Sequence, residues 1–170
     1  DNITITINTA ATVNAGTDAE TCANVPYTLS NSSMSGGASS VHWSSSGNGS
    51  FNDANTLHPI YTPGSTDISD GSVTLTITSD DPAGPCGAVS DPMVLTIRAI
   101  PTANAGSDVP ICSGKNTTLT ATGGGTYAWG PNTNLSATNI ASPVATPAAT
   151  ITYTVTVTNG FLCTHSDDVI

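Results

Sequence analysis

Residues 1–8, DNITITIN, alternate strictly: Ile3, Ile5 and Ile7 fall on one side of an extended chain, and Asn2, Thr4, Thr6 and Asn8 on the other. That is the period of a strand with one buried face. The same period returns in VTLTIT (73–78), MVLTIRA (93–99) and YTVTVT (153–158). Gly, Pro and Asn clusters between these stretches mark turns. No long segment carries apolar residues at helical spacing. The pattern predicts an all-β fold, with strands near 10–14, 26–31, 39–45, 49–53, 57–61, 72–79 and 93–99. Further strands are predicted near 102–105, 117–122, 125–130, 138–145 and 151–158, with a residual edge at 167–170. Trp43 and Trp129 are the expected core anchors.

The strands fall into two copies of one unit. TVNAGTDAETCAN (12–24) matches TANAGSDVPICSG (102–114), which sets Gly16 on Gly106, Asp18 on Asp108 and Cys22 on Cys112. VHW (41–43) parallels YAW (127–129), VTLTIT (73–78) parallels YTVTVT (153–158), Cys86 parallels Cys163, and Ser90-Asp91 parallels Ser166-Asp167. In the first copy Ser90-Asp91 leads into the closing strand MVLTIRA. In the second it is followed only by Asp168, Val169 and Ile170. The opening DNITITIN aligns with DPMVLTIR (91–98): Ile3 meets Met93, Ile5 meets Leu95 and Ile7 meets Ile97. The front of the chain carries in surplus what the back lacks. The reading is therefore a donor strand (1–8), domain 1 (9–100) and an incomplete, strand-accepting domain 2 (101–170).

Composition narrows the function classes. Charged residues are only 8% of the chain, so charge does not keep it disordered. The net charge is −10 and the two basic residues are Arg98 and Lys115. Nucleic acid and anionic membrane surfaces are poor partners for such a chain. No run is long and apolar enough to span a bilayer. No signal peptide is visible, which reads as a mature or processed start. Little Lys and much Ser and Thr fit an exported protein, where disulfides persist.

NAGxDxxxC (14–22 and 104–112), the Trp strand of each copy and TPAATITYTVTVTNGFLC (146–163) resemble the immunoglobulin-like and PKD-like tandem repeats of bacterial cell-surface proteins. The resemblance covers nearly the whole chain and implies β-sandwich domains. The WDFGDG-type hallmark of true PKD domains is replaced by HWSSSGNGSF (42–51). The cysteines flank the strands instead of bridging the central pair beside Trp, as they do in antibody domains.

None of the four cysteines forms a C-x-x-C pair, which weakens zinc and thioredoxin readings. Each copy carries two, so the repeat selects Cys22–Cys86 and Cys112–Cys163 as the expected bridges, with free buried thiols as the competing reading. The expected assembly is pilus-like: Ile3, Ile5 and Ile7 of one subunit enter a groove in domain 2 of another, lined by Trp129, Ile151, Tyr153, Val155 and Val157. Burying three Ile side chains contributes about 5–9 kcal/mol. Closure within one chain is disfavoured, because residues 9–12 span at most ~14 Å. A head-to-tail contact that does not close builds a helical filament. Three other readings stay open: an extra strand of domain 1, a cut through a longer tandem array with the chain as spacer or adhesive module, and a disordered terminus.

No Ser/His/Asp or Cys/His arrangement surrounds His42, His58 or His165, so no catalytic residue and no enzyme activity are expected. Lys115 reads as a turn lysine. No cofactor is expected; Ca²⁺ is the one candidate, through Asp67 and Asp70, Asp80 and Asp81, or Asp167 and Asp168, with structural loop carboxylates as the competing reading. Asn2, Asn31, Asn48, Asn116 and Asn134 each stand in N-x-S/T and are candidate glycosylation sites. The whole describes an extracellular, surface-borne bacterial fibril or fimbrium subunit, a secreted glycoprotein. Its partners are copies of itself, with glycans or other cells as further contacts in adhesion.

Overall fold

A computed structural model describes residues 1–82 and 85–170, and the chain divides into units Asp1–Ala99 and Ile100–Ile170. It is an all-β protein. In the first unit the strands are β1 (Ala11–Asn14), β2 (Ala19–Cys22), β3 (Tyr27–Thr28), β4 (Ser33–Gly36), β5 (Val41–Ser45), β6 (Ser50–Phe51) and β7 (Ile60–Thr62). A six-residue helix, α1 (Ser65–Asp70), follows, and then β8 (Ser72–Ser79) and β9 (Ser90–Arg98). One sheet has the order β2-β9-β8-β5; β3-β7-β6 and the β1-β4 pair face it. In β8, Val73, Leu75 and Ile77 point into the core while Thr74, Thr76 and Thr78 point outward. They meet Trp43, Tyr61, Met93, Leu95 and Ile97, all at or below 4% exposure. The alternation in the sequence is thus the alternation of burial.

The second unit holds β10 (Thr117–Thr118), β11 (Thr126–Gly130), β12 (Val144–Ala145), β13 (Tyr153–Thr158) and β14 (Thr164–Val169). Its main sheet runs β11-β13-β14, and β10 pairs with β12. Tyr153, Val155 and Val157 bury against Trp129, Leu119, Ala121 and Val169. Outward hydroxyls pair across both hairpins: Thr78 with Ser90 at 2.8 Å and Thr156 with Ser166 at 2.9 Å.

The NAGxD motif has a physical role in each copy. Gly16 and Gly106 sit at φ +96 and +88, a region that costs other residues a Cβ clash. Their amides donate to Asn14 Oδ1 and Asn104 Oδ1, both at 2.7 Å. The buried Ala15 and Ala105 donate to Asp91 Oδ2 and Asp167 Oδ2, both at 2.8 Å. Asp18 Oδ1 accepts from the Val94 amide at 2.8 Å, and Asp108 Oδ1 from the Ile170 amide at 2.9 Å. The motif therefore fastens the edge of each sandwich to its closing strand.

Several elements differ from the sequence reading; residues 102–105, expected as a strand, form the isolated bridge Asn104↔Thr122 instead. β2, β4 and α1 were not expected. β2 lacks alternation and exists because β9 offers a parallel edge, Ala19↔Leu95 to Cys22↔Arg98. α1 carries one large apolar residue, the partly exposed Ile68, and is held by Asp67. The residual edge expected at 167–170 is a full strand, β14, paired with β13 from Thr164↔Thr158 to Val169↔Tyr153. No helix among the described residues is long and apolar enough to cross a membrane.

Candidate functional site

The expected bridges Cys22–Cys86 and Cys112–Cys163 are not formed. Cys86 and Cys112 are free, while Cys22 and Cys163 are disulfide-bonded. Geometry within each unit gives the reason. Cys22 lies beside Arg98 at the end of β9, and Cys86 precedes the start of β9 at Ser90. A nine-residue strand puts about 26 Å between those ends, whereas a disulfide needs Cα atoms within about 7 Å. In the second unit Cys163 precedes β14, and Cys112 follows Val109, whose amide donates to Ile170 O at 3.0 Å beyond the other end of β14. The repeat assigns each cysteine its partner position but hides that the two positions occupy opposite poles.

A cleft of about 530 Å³ opens in the second unit. Val109, Ile111, Cys112, Leu119, Ile151, Tyr153 and Ile170 are among its walls. Of the expected groove residues, Ile151 and Tyr153 line it. Trp129, Val155 and Val157 do not; they are buried in the core at 5% exposure or less. The repeat explains the cleft. Asp167, Val169 and Ile170 hold the places of Asp91, Met93 and Val94, as their matched hydrogen bonds show. The next four places in the first unit belong to Leu95–Arg98, with Leu95 at 0% and Ile97 at 4% exposure. Ile170, the counterpart of Val94, is 53% exposed at the rim of the cleft. Around the cleft, Val109–Cys112, the counterpart of β2, is not a strand.

Residues 1–10 belong to no strand among the described residues. Ile3, Ile5 and Ile7 are 90%, 83% and 90% exposed. Among the described residues, the segment is hydrogen-bonded to its own unit near its end: the Gly37 amide donates to Ala10 O at 3.1 Å, and the Cys86 thiol to Asn8 O at 3.7 Å. The structure thus holds a free segment and an open cleft. By the repeat alignment, Ile5–Asn8 correspond to Leu95–Arg98.

The polar candidates have local partners. Asp67 is 1% exposed. It accepts from Tyr61 Oη at 2.7 Å and from the amides of Gly64, Asn48 and Gly49 at 2.9–3.0 Å. Burial pushes its carboxyl up, but the hydrogen bonds from Tyr61 and the three amides outweigh it and hold it below the usual range. Burial, then Asp67, pushes the Tyr61 phenol up to about 12. Ser39 holds Asp80 below the usual range through its hydroxyl and amide. No group of three or more candidate metal-ligating side chains occurs among the described residues. His42 Nδ1 lies 2.9 Å from Asn55 Oδ1, and His58 Nδ1 3.1 Å from both Leu29 O and Ser32 Oγ. His165 is exposed on β14 opposite Val157, and Lys115 is exposed in a turn. Asn2, Asn31, Asn48, Asn116 and Asn134 are all exposed, with Asn48 Oδ1 accepting from the Thr66 amide at 3.0 Å.

No protein-family model and no curated protein matches the chain. Among solved structures it is similar to the insect immune protein hemolin, at 13% identity and a TM-score of 0.44, over 100% of this chain and 48% of that one. It is also similar to titin domains Z1Z2 in complex with telethonin, at 14% and 0.40, over 96% of each chain. Immunoglobulin domains 1–5 of Sidekick-1 are similar at 15% and 0.41, over 96% of this chain and 39% of that one. These likenesses concern fold alone.

Proposed function

We propose that the chain is a non-enzymatic subunit of an extracellular fibre that polymerises head-to-tail, the N-terminal segment of one copy filling the cleft in the second unit of the next. The observation that carries this reading is the match between vacancy and plug. The cleft lies where the first unit keeps Leu95–Arg98, and the exposed segment Ile5–Asn8 repeats that pattern of two inward apolar residues. Ile5 takes the place of Leu95 and Ile7 that of Ile97. The arriving strand runs parallel to Val109–Cys112, as β9 does to β2. This is strand addition to an incomplete sheet. A non-closing head-to-tail contact propagates as a filament.

The joint is shorter than an eight-residue exchange. Val169 and Ile170 already occupy the places that Ile3 and Thr4 would take, so Ile5 and Ile7 are the anchors and Ile3 stays outside. Electron microscopy of the full chain tests the reading. Fibres are expected, and deletion of residues 1–8 should leave folded, unassembled subunits. Ile5→Asp and Ile7→Asp should each abolish fibres, and Ile3→Asp should keep them. A wild-type chain that remains monomeric at high concentration overturns the proposal. Equal damage from Ile3→Asp shows instead that β14 gives up its end to the incoming strand.

A second reading rests on the same open edge. In a longer tandem array, a following segment of the same polypeptide would fill the cleft, and the chain would act as a spacer or adhesive module. A longer natural chain that stays monodisperse and protects Ile111 and Ile170 from solvent exchange favours it.

A further inference from the structure

We infer that Cys86 of one chain and Cys112 of the next form a disulfide that locks the fibre joint, an inference that rests on the strand-exchange reading. Two observations from the first unit, the second carried to Cys112 by the repeat, bring these sulfurs to the same residue. In the first unit the Cys86 thiol lies 3.7 Å from the carbonyl of Asn8, the last residue of the free segment. In the paired edge of that unit, Cys22 is the parallel partner of Arg98. Asn8 is the repeat counterpart of Arg98, and Cys112 that of Cys22. Once Ile5–Asn8 fills the cleft in that register, Asn8 stands one strand spacing, about 5 Å, from Cys112. It arrives with Cys86 of its own chain against its carbonyl. Cys112 lines the cleft and is exposed, and Cys86 is partly exposed, so both are open to an oxidant.

Cys86 and Cys112 are the free cysteines, so neither is already committed to a bridge. A second copy of the chain supplies for each free cysteine the repeat partner that its own unit places at the far pole. The chemistry is thiol–disulfide exchange with a small organic disulfide. The thiolate of one cysteine attacks that disulfide, forms a mixed disulfide and expels one small thiol. The thiolate of the other then attacks the mixed disulfide, closes the bridge and expels the second. The two cysteines lose two electrons and two protons, and the oxidant becomes two thiols.

The test uses the full chain assembled with oxidised glutathione, imaged, then alkylated and denatured in detergent. A ladder of covalent multimers that reductant collapses is expected, and peptide mapping should join Cys86 to Cys112. Cys86→Ser and Cys112→Ser should each still form fibres by microscopy but run as monomers after denaturation. An equimolar mixture of the two variants should yield covalent dimers, with Cys112 from the first variant and Cys86 from the second. Fibres that denature wholly to monomers, or bridges of Cys86 to Cys86 or Cys112 to Cys112, overturn the lock and leave strand exchange standing. Absence of fibres before denaturation overturns both.

Discussion

Ala19–Cys22 and Val109–Cys112 occupy the same place in the repeat, yet only the first is a strand. Neither sequence alternates clearly, and both follow the same Asn-Ala-Gly-x-Asp turn. The difference lies in the neighbour. β9 runs on past Val94 and presents Leu95–Arg98 as a parallel edge, whereas β14 ends at Val169 with Ile170 beyond it. An edge segment with weak propensity takes strand form when a partner supplies the other half of its ladder. In the second unit a cleft of about 530 Å³ lies beside Val109–Cys112, where the first unit has the paired edge of β2 and β9.

The sharpest way to break this comparison is to extend β14 with the residues that β9 has beyond Val94. Adding Leu-Thr-Ile-Arg after Ile170, copied from positions 95–98, should fill the cleft from within, turn Val109–Cys112 into a strand and stop fibre growth in electron micrographs. Continued assembly of that extended chain would show that the cleft is not the acceptor.

A smaller effect compares the two strand ends. Ile97 is 4% exposed in a finished edge and Ile170 is 53% exposed at an open one. Ile97→Ala should destabilise the first unit by about 2–5 kcal/mol in urea unfolding. Ile170→Ala in the unassembled subunit should change stability by no more than about 0.5 kcal/mol. Similar losses at both sites would mean that the second edge is already covered.

The smallest effect concerns a cluster that only the first unit has. The Asp67 carboxyl sits below its unfolded value, so its contribution is complete above about pH 4 and fades as pH falls through the lower folded value. Tyr61 is shifted the other way. Its contribution is complete below about pH 10 and fades as pH rises through about 12. Unfolding midpoints of the first unit should drop at both extremes, and Tyr61→Phe should flatten the alkaline arm at a cost of about 1–3 kcal/mol for the lost bond to a buried carboxylate. An unchanged alkaline arm in that variant would remove Tyr61 from the account.

Alternation made part of this fold legible. Ser72–Ser79 forms β8 as expected, and Val73, Leu75 and Ile77 bury as their spacing demands. The likeness of DNITITIN to DPMVLTIR is also readable. Other features were not. α1 depends on Asp67 reaching three amides and Tyr61, contacts that no local pattern announces. The groove was expected along Trp129, Val155 and Val157, but those side chains face the sheet already built and are sealed in its core. The opening lies one strand further out, at Val109–Cys112, because β14 already covers β13. The repeat pairs Cys22 with Cys86, whereas the length of β9 separates them.

The bond from the Ile170 amide to Asp108 has a kinetic consequence for the proposed joint. Together with the bond from the Val109 amide to the Ile170 carbonyl, it fixes Ile170 at the rim of the cleft before any incoming strand arrives. In the proposed joint, an incoming strand would extend an edge already held in place rather than nucleate one. Only four residues need to order, at about 1–2 kcal/mol of backbone entropy each, and the first of them adjoins a template already in register.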